Sequence, residues 1–136
     1  MSEENAEIVR AQIDAYNRGD YDAALAALGE EVEWHVPGVA ALDAPQSGVV
    51  RGRAQVAEQF ARWLEAWESH AFEVTDARSL GEDVFIAGFQ VGRGRHSGLD
   101  VRVPTFHVFT LRDHKIVAMR AFAERAEALE AVGLRE

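Results

Sequence analysis

The sequence predicts an α+β fold in which helices gather on one face of a curved, antiparallel sheet. Two observations carry that expectation. The apolar residues change period along the chain, in the order helix, helix, strand, helix and then four strands in succession. The stretch VRVPTFHVFTLRDHKIVAMRAFAE, residues 101–124, reads as two long antiparallel strands about a tight turn at Arg112, Asp113, His114 and Lys115. Along the first of these strands Val101, Val103, Thr105, His107, Phe109 and Leu111 share one face, while Arg102, Pro104, Phe106, Val108 and Thr110 share the other. Both rows carry bulk, so both call for a cover. In a chain of 136 residues the second cover is expected from another subunit.

The first helix, 4–18, places Ile8, Val9, Gln12, Ile13 and Tyr16 at helical spacing, and Asn17, Arg18, Gly19 and Asp20 supply a stop and a fresh N-cap. A short helix over 20–28 follows. In VEWHVPG, Val32, Trp34 and Val36 alternate with Glu33 and His35, which predicts a strand over 31–36 ended by Pro37 and Gly38. Residues 39–52, with Pro45 and Gly48, read as a loop long enough to act as a lid. Gly52 to Glu68 is the strongest helix, its stripe formed by Val56, Phe60, Trp63, Leu64 and Trp67. Strands over 71–80 and 83–95 flank a turn at Gly81, Glu82 and Asp83, and GRGRHSG turns the chain into the long hairpin of 101–112 and 115–124. A short helix over 126–132 closes the chain, which is read as one domain, 1–136, without internal repeats.

Composition excludes several function classes. No run of about 18 apolar residues exists, and the start MSEENAEIV lacks the basic-then-apolar pattern of a secretory signal. There is no cysteine, which removes disulfides and thiolate chemistry and fits a cytoplasmic location. The net charge of −9 disfavours nucleic acid and anionic membrane as partners. The five histidines show no HxH or HxxxH pairing, so no metal site is expected. No nucleophile elbow, P-loop or dinucleotide fingerprint occurs, and no cofactor is expected.

NAEIVRAQIDAYNRGDYDAALAAL, VEWHVPG, GRAQVAEQF and FHVFTLRDHKIVAMRAFAERAEALEAVGL together resemble the SnoaL-like polyketide cyclases, of the superfamily typified by nuclear transport factor two and ketosteroid isomerase. The resemblance covers nearly the whole chain. It implies a cone-shaped α+β barrel of cystatin-like type, helices on the concave face of the sheet, a pocket at the mouth of the cone and a homodimer through the outer sheet face. The family's carboxylate chemistry does not carry over. Val36 stands where ketosteroid isomerases place a carboxylate base, Gln12 falls near their oxyanion-hole tyrosine, and His107 falls at their protonated aspartate. On the last strand, where epoxide hydrolases and SnoaL place an acid, only Ala121 is available, and an epoxide-hydrolase-like alignment sets His35 at a water-positioning asparagine.

His107 is the one titratable side chain in the middle of the inward row, and its ordinary pKa near 6.5 suits it to act as acid, base or hydrogen-bond donor. A core histidine satisfied by a neighbouring hydroxyl is the competing reading. Strict alternation sends His35 outward with Glu33; a bulge before Pro37 would turn it inward. Parity gathers Trp34, Thr105, Phe109, Met119 and Ala121 on the side of His107, with Tyr16, Phe60 and Trp63 above them, as the lining of a substrate site. The expected function is binding of a small, apolar, cyclic molecule, with cofactor-independent proton-transfer chemistry (isomerisation, cyclisation or dehydration) through His107 and His35. A non-catalytic ligand-binding or dimeric accessory protein is the alternative.

Overall fold

The computed structural model describes residues 2–36 and 48–133. Four helices and six strands follow in the order α1 Ser2–Asn17, α2 Tyr21–Ala26, β1 Leu28–Val36, β2 Gly48–Arg51, α3 Arg53–Glu65, β3 Trp67–Leu80, β4 Asp83–Gly94, β5 Asp100–Arg112, β6 Lys115–Phe122 and α4 Arg125–Ala131. The strands form one curved sheet in the order β2-β1-β6-β5-β4-β3, antiparallel throughout except where β1 runs parallel to β6. Most of the proposed lid lies outside the described residues. Its last part, 48–51, is edge strand β2, with Val50 beside Trp34 in the register.

The long hairpin turns on Asp113 and His114, both with positive φ, the backbone of a two-residue turn whose twist suits the flanking strands. Inward alternation holds from Val101 to Leu111, and the bulge opposite Thr110/Leu111 lies in β6, where the extra residue Val117 turns Ile116 into the core beside Leu111. Under the first three helices, Val9, Ile13, Leu28, Val32, Val56, Phe72, Val84, Ile86, Phe109, Leu111, Ile116 and Met119 form that core. Asn17 ties the end of α1 to β3 by accepting from the Phe72 N–H and donating to its carbonyl, at 2.9 Å each.

Two corrections concern helices. The stripe through Trp67 reads as helix, yet α3 ends at Glu65 and Trp67 opens β3. Arg95 explains the stop: its guanidinium donates to the Glu65 and Trp67 carbonyls, and its backbone N–H to Ala66. The GRGRHSG turn thus also clamps the helix C-terminus through Arg95. The second correction is α4, which lies on the outer sheet face rather than with the other helices. Ala128 and Leu129 pack on Phe85, Ala87 and Val108, so part of the row read as a subunit interface is covered by the chain itself.

Gly88 and Gly92, on the inward row of β4, let β3 curl across the sheet. A Cβ at Gly88 would lie 1.9 Å from the Glu73 carbonyl oxygen, and one at Gly92 2.3 Å from that of Ser69 and 2.9 Å from the Trp67 ring. Both sit beside bulges of β3, so the close approach and the curvature have one cause.

Candidate functional site

On the inward face a closed circuit of side chains runs between the sheet and helices α1 and α3. Its apolar arc runs from Tyr16 to Phe60 at 5.9 Å between ring centroids, then to Trp34 at 5.7 Å and to Phe109 at 6.2 Å, all edge-on. Phe109 lies 6.0 Å from the ring of His107. From there a polar arc returns to Tyr16. His107 Nε2 lies 3.1 Å from Thr105 Oγ1, Gln90 Nε2 donates to that hydroxyl at 3.5 Å, Gln90 Oε1 lies 3.1 Å from His70 Nε2, and His70 Nδ1 lies 2.7 Å from the Tyr16 hydroxyl.

Strand register explains the assembly. His107 faces Ile86 on β4 and Ala121 on β6, Phe109 faces Met119, and Trp34 faces Met119 from β1, so all share the inward side. Tyr16, Trp34, Phe60, His70, Gln90, His107 and Ala121 point inward and yet are only half-buried. Phe109 and Met119, on the same face, are buried. Gln12, one turn before Tyr16 on α1, is 5% exposed and bonds no other described residue through its amide.

The electrostatics follow from burial. Burial pushes the His107 imidazole down to about 4, so it is neutral at physiological pH. The ring packs between Phe72, at 5.0 Å, and Phe109. His70 is also lowered by desolvation, partly offset by its bond to Gln90. The Tyr16 phenol is raised, chiefly by burial and then by the charge of Tyr21, against a hydrogen bond from Trp63. Every titratable member of the circuit thus carries its neutral form.

Of the residues expected at the site, Tyr16, Trp34, Phe60, Thr105, His107, Phe109, Met119 and Ala121 come together as parity demanded. Trp63 stands beside them, 5.3 Å from His70 and 5.5 Å from Trp67. His35 does not join them. It shares the outer face with Glu33, 3.5 Å from its carboxylate, because β1 alternates without a bulge between Glu33 and His35. Sequence reasoning missed His70 and Gln90. Beginning β3 at Trp67 rather than 71 would have put His70 on the inward row with Phe72, and Gln90 is polar at inward parity for the same reason as His107. Among the described residues no cluster of three or more His, Asp or Glu could hold a metal ion, and no helix is long and apolar enough to cross a membrane.

Known structures share this architecture. An NTF2-like protein from Burkholderia xenovorans LB400 is 27% identical, with a TM-score of 0.75, over 98% of both chains. A hypothetical protein with ketosteroid isomerase-like fold from Catenulispora acidiphila DSM 44928, in complex with trimethylamine, is 20% identical with a TM-score of 0.75, over 94% of this chain and 93% of that one. TerC, co-crystallised with polyporic acid, is 19% identical with a TM-score of 0.77, over 95% of this chain and 97% of its own. No curated protein matches the sequence. Residues 9–119 match the SnoaL-like domain, and with most of its length inside that match the chain belongs to the SnoaL-like family.

Proposed function

We propose that the chain binds a small, largely apolar, ring-bearing molecule inside the aromatic circuit, and that the ligand's polar group hydrogen-bonds to His107. The observation that carries this reading is the setting of the imidazole. It is anchored at Nε2 by Thr105, and its Nδ1 bonds no described residue. A polar atom without a protein partner, among rings that offer only edges and faces, is the composition of a small-molecule site. TerC, of the same fold, was co-crystallised with polyporic acid, which supports the cone as a place for small molecules.

Turnover, on this reading, is a cofactor-independent proton shift within the bound molecule, of isomerisation, cyclisation or dehydration type, with His107 bonding the oxygen on which charge develops. One observation favours a second, non-catalytic reading. Among the described residues no Asp or Glu stands on the inward rows of β4, β5 or β6, so a carboxylate base has no counterpart beside His107 on those strands. Both readings share the binding step.

Titration of tryptophan fluorescence with naphthalene, 2-acetonaphthone and 2-naphthol tests that step. At least one polar derivative should bind about tenfold tighter than naphthalene, the worth of one net hydrogen bond, and His107→Ala should abolish the difference. Equal affinities for all three, or no binding at all, would overturn the proposal.

A further inference from the structure

We infer that Gln90 is a positioning residue which, acting through Thr105, holds His107 with its proton on Nδ1 and makes the site selective for hydrogen-bond acceptors, ketones and related carbonyl compounds, over alcohols and phenols. The inference rests on the ligand-binding reading above and adds the class of ligand. It comes from following the donors around the polar arc. The Tyr16 hydroxyl has one proton to give, and His70 Nδ1, at 2.7 Å, is its hydrogen-bond partner among the described residues. Tyr16 therefore gives its own proton to His70 Nδ1. A neutral His70 accepting there carries its proton on Nε2 and donates it to Gln90 Oε1. With its oxygen turned to His70, the amide presents its NH₂ group to Thr105 Oγ1. That hydroxyl, already accepting from Gln90, gives its proton to His107 Nε2. A neutral His107 accepting at Nε2 has its proton on Nδ1, the nitrogen that bonds no described residue.

Each link donates in the same sense, from Tyr16 to His107. The opposite sense would require the amide of Gln90 and both imidazoles to reverse together. It would also make Tyr16 the acceptor from His70 and leave the hydroxyl proton without an acceptor in the circuit. Because a carboxamide passes no proton at neutral pH, the arc orients hydrogen bonds and does not conduct protons. Gln90 thus determines which hydrogen-bonding partner His107 offers.

Long-range proton–nitrogen correlation spectra of protein labelled with 15N-histidine read the tautomer with no ligand present. Wild type should show His107 as the Nδ1–H form, the reverse of free histidine's preference, and should favour 2-acetonaphthone over 2-naphthol about tenfold or more. In Gln90→Glu the carboxylate accepts from both sides, so Thr105 turns its proton to Glu and accepts from His107 Nε2–H. The tautomer then switches and the affinity ratio inverts. Thr105→Val, which cuts the arc without introducing charge, should bring the ratio near one even if the glutamate variant fails to fold. An Nε2–H tautomer in wild type, or a ratio unchanged in a folded variant, overturns the inference. Failure of both probes to bind would sink the binding proposal instead, while the spectra still read the role of Gln90.

Discussion

Acidification should destabilise the protein through His107, by an amount that follows from its setting. Its folded-state pKa lies at about 4 against an ordinary 6.5, because burial disfavours the imidazolium. The unfolded chain therefore takes up a proton first, and stability falls as pH drops below about 6.5, until the native imidazole also protonates near 4. At pH 4.5 the linkage costs about 2.5 kcal/mol relative to pH 7.5. That figure is a ceiling, because His107 is half-buried rather than sealed. With an unfolding entropy of about 2.1 cal/mol/K per residue, the loss corresponds to about 9 °C in Tm. Surface carboxylates add their own acid sensitivity, so the informative quantity is a difference. Thermal melts of wild type and His107→Asn, followed by circular dichroism between pH 7.5 and 4.5, should show wild type losing up to about 9 °C more than the variant. Parallel curves would refute the assignment of a buried, neutral His107. His70→Asn isolates the second contribution, which has the same sign.

Gly88→Ala should cost about 3 kcal/mol or more in urea unfolding, because its Cβ would meet a backbone carbonyl that moves only if β3 and β4 part. Leu129→Ala should cost about 2–5 kcal/mol, since Leu129 anchors α4 to the outer face at 1% exposure; a change within 0.5 kcal/mol would mean that α4 does not dock there in solution. Phe106→Glu checks the homodimer expected from the outer row: light scattering should report a fall from dimer to monomer mass with circular dichroism unchanged, and an unaltered mass would place any interface elsewhere.

The fold was legible because period and parity are local. The change from helical to alternating spacing locates the elements other than edge strand β2 to within a few residues, and alternation along β5 puts His107, Thr105 and Phe109 on one face. What remained hidden depends on contacts between distant segments. Nothing near Trp67 says that α3 must end before it; the clamp is Arg95, on the next hairpin. The outer apolar row signalled a missing cover, but not that residues 128 and 129 of the same chain supply it. The polar arc was invisible because its members come from α1, β3, β4 and β5 and meet only through register.

The central claim is that His107 belongs to a ligand rather than to the core. Affinity for 2-acetonaphthone and melting temperature at pH 7.5, measured on the same His107→Ala protein, separate the two. Loss of a hydrogen bond to the ligand predicts binding weaker by about 1–3 kcal/mol with Tm nearly unchanged. A large fall in Tm with affinity intact would make His107 a structural histidine and contradict the account.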